Sequence, residues 1–337
     1  MKKGYAYVND FAPRDGLLSV YFKKFSGKKS DGFAFVFDGE VYVVDVGGPT
    51  DPEMSRFLST LRETWLESAP EDVDRDSARL AFSMIVSHSH PDHIGALPGI
   101  LSDPRFCLKR ILAPRRCYRS LEGPDLLPSL KKYEDNLCAI LPLLTEYDHV
   151  AREIERVEYG KVYPVRPEKG DVIFDLFPAP YDWSEDRGSD EEGFQNLVLT
   201  TTTHSATYLS NPEAGWANGV MNGNSLWVRA KKGKQTVLIT GDQRATEQML
   251  GHMIRYYGDE EFCCDVLKMP HHGEKNYPPH LVKIAAPSIT VITLSRARST
   301  PETCELCERV SKLYYMEDGN LLLTLDGKDS IQEMLYE

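Results

Sequence analysis

A short polar stretch, "SHSHPDH" at residues 87–93, has the side chains of a metal site. It contains three of the nine histidines together with Asp92, and it follows the apolar run "LAFSMIV". A core strand gains no stability by ending in four groups that each need a hydrogen bond or a metal. Because alternate residues of an extended segment point the same way, His88 and His90 can bind one ion. Asp92 and His93, just past the turn, can face a second ion.

Two more apolar strands end in similar side chains. "VLITGD" ends in Asp242, whose two carboxylate oxygens could bridge two ions. "VLKMPHHG" ends in His271 and His272, and Gly273 lets the backbone pass close to a site. Divalent zinc takes such nitrogen and oxygen ligands, and a catalytic zinc site keeps one position for water. The three strand ends together predict a metal site.

The elements that must position these residues are strands alternating with helices. "DGFAFVFDGEVYVVDVGG" predicts two strands turned at Asp38-Gly39, a pair that favours a tight hairpin. After Asp51, a possible helix cap, apolar residues recur at helical spacing and predict a helix that faces the core. Further strands are predicted in "KRILAP", "DVIFDLFPAP", "NLVLTTTTHSATYLS", "NSLWVRA", "QTVLITGD", "ITVITLS" and "NLLLTLDG". Helices are predicted from Leu126 to about Glu158 with an interruption at Pro142, and in "PPHLVKIAAP" and "PETCELCERVSKLYY".

Composition limits the class of protein. The chain has 337 residues, 41% hydrophobic and 27% charged, and we predict one mixed domain over residues 1–337 with a helical insertion around 121–160. No apolar run approaches the roughly 20 residues of a spanning helix, and no signal peptide is evident. We therefore expect no membrane partner and a cytoplasmic location. The net charge of -12 argues against extended nucleic acid as a partner. A lone C-x-x-C among seven cysteines is a poor zinc signal.

The motifs together resemble those of the metallo-β-lactamase superfamily. "SHSHPDHIGAL" carries the resemblance, with "VVDVGG" before it and "LITGD" and "PHHG" after it. Within that superfamily, "GNSLWV…VLITGD…DVLKMPHHG" is similar to the hydrolase domain of bacterial DNA-uptake (competence) channels and to phosphorylcholine esterase. The resemblance implies an α+β fold, the four-layer αββα sandwich, with a dinuclear site at one sheet edge. It also implies that Asp45 orients the metal histidines.

The resemblance implies a set of ligands with one position missing. It assigns His88, His90 and Asp242 to one ion, and Asp92, His93, Asp242 and His271 to the other. The choice between His271 and His272 stays open. The superfamily has a further histidine where this chain has "NGNSLWV", so Asn224, Ser225, His204 or water would fill that position.

These residues predict a metal-dependent hydrolase. Two divalent ions, zinc first with manganese or iron as alternatives, lower the pKa of a bridging water toward about 7 and so supply hydroxide. The missing ligand leaves room for substrate oxygens, which favours a phosphoester substrate, most of all a small phosphodiester. The predicted catalytic residues are Asp92, which is also a ligand, and His272, as general acid to the leaving group.

Two other functions remain open. The same hydroxide can attack an acyl carbon in a lactone, thioester or β-lactam, so acyl hydrolysis is the second hypothesis. A non-catalytic metal-binding protein is the third. Glu274 stands where the DNA-uptake relatives have a small hydroxyl residue, which weakens the case for DNA as substrate. Aromatic side chains could border the cleft and bind a quaternary amine: Tyr181, Trp183, Tyr208 and Trp216.

Overall fold

Two β-sheets with helices on their outer faces make up the fold. The computed structural model describes residues 6–25, 30–116, 128–180, 212–243, 247–273, 279–299 and 301–336. In these residues the sheets have eight and seven strands, and both are mixed. The predicted α+β fold, a four-layer αββα sandwich, is confirmed. None of the helices in this part of the chain is long and apolar enough to cross a membrane.

The strands and helices of the described residues are numbered in chain order. The strands are β1 (Leu18–Phe22), β2 (Gly32–Phe37), β3 (Glu40–Val46), β4 (Leu80–Ile85), β5 (Phe106–Pro114), β6 (Glu155–Val157), β7 (Tyr163–Val165), β8 (Val172–Phe177), β9 (Trp227–Lys232), β10 (Gln235–Thr240), β11 (Val266–Lys268), β12 (Ile289–Ile292), β13 (Lys312–Tyr315), β14 (Asn320–Leu325) and β15 (Ile331–Tyr336). The α-helices are α1 (Glu53–Glu67), α2 (Pro91–Ile94), α3 (Leu97–Leu101), α4 (Pro128–Cys138), α5 (Leu141–Glu146), α6 (Pro212–Gly223), α7 (Glu247–Tyr257), α8 (Pro279–Ala285) and α9 (Pro301–Val310).

Parallel strands in one half of each sheet bring the polar strand ends together. The first sheet has the order β15-β14-β1-β2-β3-β4-β5-β6, and β3, β4 and β5 run parallel. The second has the order β13-β12-β11-β10-β9-β8-β7, and β10 to β13 run parallel. The carboxyl ends of parallel neighbours meet at one edge of a sheet, which is where side chains after the strands can form a site.

The predicted hairpin is confirmed. Strands β2 and β3 pair antiparallel, with Phe37 opposite Glu40. The two turn residues, Asp38 and Gly39, have φ values of 46° and 82°. A type I′ turn requires positive φ at both central positions, and Asp-Gly adopts them at low cost.

Three apolar layers hold the sandwich together. Aromatic rings fill the space between the sheets: the ring of Phe174 lies 5.3 Å from that of Phe35 and 4.7 Å from that of Tyr42, between centroids. Helix α1 covers the outer face of the first sheet with the predicted apolar stripe of Met54, Phe57, Leu58, Leu61 and Trp65. Helices α7, α8 and α9 cover the outer face of the second sheet.

Some predicted elements differ from the structure. The last predicted helix ends at Val310, and Lys312–Tyr315 is strand β13, because the chain there pairs in parallel with β12. The predicted helical stretch is interrupted between α4 and α5, and Pro142 lies in the first turn of α5, where its missing N–H has no partner to lose. The helices end at Glu146 and not near Glu158, because Glu155–Val157 is strand β6 and pairs with β5. The predicted strand in "NLVLTTTTHSATYLS" and the residue His204 lie outside the described residues.

A buried histidine that the sequence analysis did not single out joins α3 to β5. The His149 Nδ1 atom accepts a hydrogen bond from the N–H of Leu108 at 3.0 Å, and Nε2 donates to the carbonyl of Leu101 at 2.9 Å. One nitrogen accepts and the other donates, so the ring must be neutral. Burial, the largest cause, lowers the pKa of His149.

We therefore expect acid to remove the contribution of His149 to stability. The unfolded chain binds a proton at this histidine near pH 6.5, while the folded chain does so only at lower pH, so stability falls as pH drops below about 6.5. His149→Gln should lower the unfolding free energy by about 1–3 kcal/mol at pH 7.5, and the difference should shrink by pH 5. Urea unfolding of the wild type and the variant at both pH values measures this difference in unfolding free energy. A difference that does not depend on pH would contradict a neutral folded imidazole.

Candidate metal centre

The three predicted strand ends meet in the structure. The segment that carries His88 and His90 follows β4, Asp242 follows β10, and His272 follows β11. The N–H of Leu226 donates to the carbonyl of Ser87 at 2.9 Å, which joins the two sheets beside the site. His88, His90, Asp242 and His272 are each at most 6% exposed. The site is therefore a polar seam between two apolar layers.

The backbone after β11 has an unusual conformation that aims the paired histidines. His271 and His272 have φ values of 48° and 59°, in the left-handed region that L-residues seldom adopt. Two hydrogen bonds hold this turn: the N–H of His271 donates to the carbonyl of Gly241 at 3.1 Å, and the N–H of Leu294 donates to the carbonyl of His272 at 3.0 Å. Such strain persists where the surrounding structure fixes it, and it is common at functional sites.

Asp45 holds the first imidazole of the seam. Its Oδ2 atom accepts hydrogen bonds from the Ser87 hydroxyl at 2.6 Å and from His93 Nδ1 at 2.8 Å, and its Oδ1 atom accepts from the N–H of Ser87 at 2.8 Å. With Nδ1 bound to Asp45, His93 directs Nε2 toward Asp242 Oδ2, at 3.3 Å. A carboxylate behind a ligand histidine fixes its tautomer and orientation. The orienting role implied for Asp45 fits this geometry.

Asp31 does the same for a second imidazole. Its Oδ1 atom lies 2.9 Å from His272 Nδ1, and His272 Nε2 lies 3.1 Å from Asp242 Oδ2 and 3.7 Å from Asp92 Oδ2. The other oxygen of Asp31 forms an ion pair with Lys268 Nζ, and all three of Asp31, Lys268 and His272 are fully buried. His93 and His272 thus approach Asp242 in the same way, each with a carboxylate behind it.

A second group of nitrogens lies on the other side of the seam. His88 Nε2 and His90 Nδ1 are 2.9 Å apart, and the ring of His88 lies 4.1 Å from that of His93, between centroids. The Ser87 hydroxyl contacts His88 Nδ1 at 3.0 Å. The ring of Tyr133, from α4, packs edge-on against His90 at 4.6 Å. His88 and His90 therefore present convergent nitrogens next to the cluster around Asp242.

The charges of the two groups differ. Burial lowers the pKa of His88 well below its usual value and that of His90 to about 4, so both rings are neutral and can act as ligands. Burial also opposes charge on His93 and His272, but Asp242 and the carboxylate behind each ring raise their pKa values well above the usual one. Positive charge is therefore favoured next to Asp242.

The donor set fits a divalent cation. Asp31, His93, Asp242 and His272 each offer a ligand atom, and these atoms lie within 4.8 Å of one another. Among the described residues, no hydrogen-bond partner of good geometry exists for Nε2 of His90, His93 or His272, or for Oδ1 of Asp242. Buried polar atoms without partners cost free energy, and a bound ion would supply the missing interactions. Because Asp31 is engaged by Lys268 and His272, we infer that Asp92 rather than Asp31 would be the ligand.

Most of the predicted site residues converge, with one change of role. Both ring nitrogens of His272 face carboxylates, which is the arrangement of a ligand and leaves no nitrogen for the predicted general acid. His271 lies further out, with Nε2 3.8 Å from Asp242 Oδ2. At the missing position, Asn224 lines a cleft with His88, and the hydroxyl of Ser225 accepts from the N–H of Asp242 at 3.2 Å.

Several other predictions fall on parts of the chain that are not described. Glu274 and the aromatic residues Tyr181, Trp183 and Tyr208 lie outside the described residues, and the side chain of Trp216 is not described. Their predicted places around the cleft stay predictions.

Sequence reasoning did not identify Asp31 or Lys268. Asp31 precedes the apolar strand β2, and Lys268 ends β11 inside the otherwise apolar "DVLKMP". A lysine in a predicted buried strand needs a buried partner of opposite charge, and that was the available signal.

Comparison with known proteins finds likeness in fold. No protein-family model and no curated protein matches the sequence. The structure is similar to the metallo-β-lactamase fold protein YhfI from Bacillus subtilis, at 10% identity and a TM-score of 0.45 over 89% of this chain and 95% of that one. It is similar to a diphosphatase of the PhnP family, at 13% identity and a TM-score of 0.40 over 95% of this chain and 100% of that one. It is also similar to the short form of human tRNase Z, at 13% identity and a TM-score of 0.36 over 88% of this chain and 91% of that one.

These likenesses concern the fold alone. The two sheets with helices on their outer faces are the arrangement that the resemblance to the metallo-β-lactamase superfamily implies. The narrower resemblance to the hydrolase domain of DNA-uptake channels and to phosphorylcholine esterase stays a prediction.

The two neighbouring histidines give a direct test of the ligand set. In His272→Ala we expect less bound zinc per chain than in the wild type, because Nε2 of His272 lies 3.1 Å from Asp242. In His271→Ala we expect the wild-type zinc content. The measurement is elemental analysis after loading with zinc and desalting, with circular dichroism as the control for folding. The reverse pattern would restore His271 as the ligand.

Asp31 can be tested separately from its effect on stability. Asp31→Asn alone leaves Lys268 without its buried counter-charge, and breaking such a pair costs about 3–5 kcal/mol. The double variant Asp31→Asn with Lys268→Met removes both charges and should recover much of that stability. Its zinc affinity should still be about 10- to 100-fold weaker than that of the wild type, since His272 loses the carboxylate behind it. A competition assay with a chromophoric chelator measures the affinity, and a wild-type value would rule out an orienting role for Asp31.

Proposed function

We propose that this chain is a metal-dependent hydrolase that cleaves phosphodiesters. The observation that carries the proposal is the convergence of His93 and His272 on Asp242, each with a buried carboxylate behind it. Divalent ions bound there would supply a water-derived nucleophile at neutral pH and would neutralise charge on the attacked group. Such a rigid, preorganised set of donors is typical of catalytic metal sites.

The residues of the chain have distinct tasks in this proposal. Asp92, His93, Asp242 and His272 would hold one ion, and His88, His90 and Asp242 would hold another. Asp45 and Asp31 keep the Nε2 atoms of their histidine partners directed at Asp242. Burial keeps the surrounding dielectric constant low, which strengthens the attraction between bound cations and a phosphoryl oxygen.

A phosphodiester is favoured over an acyl substrate by the residue beside His88. There the chain has Asn224, and a neutral amide is a weaker ligand for zinc than imidazole. The His88 side would then have fewer strong protein ligands and more room for substrate oxygens, and a phosphodiester offers two that can contact both ions. A lactone, thioester or β-lactam offers only one carbonyl oxygen to the same positions. Acyl hydrolysis is therefore the second candidate.

The test compares four substrate classes in the zinc-loaded and manganese-loaded protein. We expect turnover of a bis-aryl phosphodiester above that of a phosphomonoester, a lactone and a β-lactam. Asp242→Asn should reduce kcat/KM by at least about 100-fold, because even residues that only orient metal ligands are worth about 10- to 100-fold.

The control is Asp175→Asn, which removes a carboxylate paired with Arg229 on β9, away from the cluster around Asp242. It should keep the wild-type rate. Faster turnover of the lactone or β-lactam would select the acyl reaction, and bound metal without turnover of any of the four would point to a metal-binding protein.

A further inference from the structure

A narrow cleft opens beside His88. It is lined in part by His88, Asn224, Arg115, Arg156 and Glu134, and the space left among these side chains is about 10 Å³, roughly that of one water molecule. Helix α4 forms one wall and the carboxyl end of β5 another. A group that enters this cleft is therefore next to the predicted ligands but does not touch the cluster around Asp242.

The wall of the cleft carries more guanidinium than carboxylate groups. Arg156 shares its partner with Arg116, which does not itself line the cleft: Nε of Arg116 lies 3.1 Å from Oε1 of Glu134, and Nη2 of Arg156 contacts the same oxygen. Arg156 Nη1 also donates to the carbonyl of Pro114 at 3.1 Å, which fixes the side chain at the end of β5. Two cations on one carboxylate leave a positive charge that Glu134 does not balance.

A third arginine, Arg115, also lines the cleft and is held by an exposed carboxylate. The Arg115 guanidinium is 53% exposed and pairs with Glu158, which is itself 59% exposed, at 2.7 Å. An exposed ion pair contributes little to stability, and its members exchange partners at low cost. By contrast, Arg156 is only 18% exposed and Glu134 12%. Half-buried guanidinium groups with fixed geometry are well suited to bind a carboxylate or phosphate.

The position of this charge is informative because the chain as a whole has a net charge of -12. A general positive field that would attract polyanions is absent from such a composition. The arginines of the cleft are a local exception next to the predicted ligands His88 and His90. They match a small substrate with one anionic group at the metal site and a second one in the cleft.

We propose that the cleft beside His88 binds a second anionic group, a carboxylate or phosphate, of the substrate, and that Arg156 is its main partner. Glu134 competes for Arg156 and so weakens this binding. The inference rests on the proposed phosphodiesterase function, and it makes the preferred substrate a phosphodiester with a further negative charge on the part that is not the leaving group.

Two esters with the same leaving group test the inference. The first is p-nitrophenyl phenyl phosphate, and the second is its analogue with a carboxylate in the para position of the phenyl ring. The quantity is the ratio of kcat/KM for the carboxylated ester to kcat/KM for the plain one. We expect a ratio of about ten or more in the wild type, which is the worth of one charge-assisted hydrogen bond.

The variants separate the cleft from general effects of charge. In Arg156→Met the ratio should fall to about one, and in Glu134→Gln it should rise above that of the wild type. The matched control is Arg229→Met: Arg229 is 17% exposed, pairs with Asp175 and Glu261, and lies on β9 of the other sheet. Its ratio should equal that of the wild type. A wild-type ratio near one, or a ratio that survives in Arg156→Met, would overturn the inference.

A binding experiment keeps this inference distinct from the proposed function. Phenylphosphonate and 4-carboxyphenylphosphonate are not hydrolysed, and calorimetric titration of each into the zinc-loaded protein gives its Kd. The carboxylated compound should bind about tenfold more tightly in the wild type and not in Arg156→Met. If neither ester is hydrolysed but this difference is found, the phosphodiesterase proposal fails and the anion site stands. If the esters are hydrolysed but the ratio of their kcat/KM values and the ratio of the two Kd values are both near one, the anion site is wrong and the phosphodiesterase proposal stands.

Discussion

Two buried carboxylate–imidazole pairs determine the architecture of the site. Asp45 and Asp31 lie on or beside β3 and β2 of the first sheet, and they orient His93 and His272 toward Asp242 of the second sheet. Removing such groups from water costs several kcal/mol for each ion unless partners replace the lost hydration. The partners come from both sheets, so the site can form only when the sandwich is closed.

Lys268 completes the balance of charge at the bottom of the seam. It ion-pairs with Asp31, donates to the carbonyl of Thr240 at 3.0 Å, and lies 3.9 Å from Asp242 Oδ1. A fixed cation there offsets the repulsion between two buried carboxylates, which would otherwise raise the pKa of one of them. Instead, although burial opposes their ionisation, the charges of His272 and its neighbours lower the pKa values of both Asp31 and Asp242. Both therefore stay ionised, as a metal site requires.

The sequence predicts the parts of this design that depend on local pattern. The spacing of His88 and His90, the Asp-Gly turn and the apolar stripe of α1 follow from short-range rules, and the structure has them. Asp31 was missed because its partners, His272 and Lys268, lie more than 230 residues away along the chain. The choice between His271 and His272 depends on a left-handed backbone at both residues, which local pattern does not predict. Long-range pairing and strained turns are set by the closed sandwich, beyond the reach of local pattern.

The two sides of the site have different physical constraints. Around Asp242, the side chains of Asp31, His93, Lys268 and His272 are buried and ion-paired, so a change of one of them leaves a charge without its partner. Beside His88 the pair of Arg115 and Glu158 is more than half exposed, so a substituent of the substrate can replace Glu158 at low cost, whereas replacing the mostly buried Glu134 costs more. On the proposed function, substrate preference would change on the α4 side while the metal ligands stay fixed. The seam between the sheets would set the reaction, and the wall that the helices add to it would set the choice of substrate.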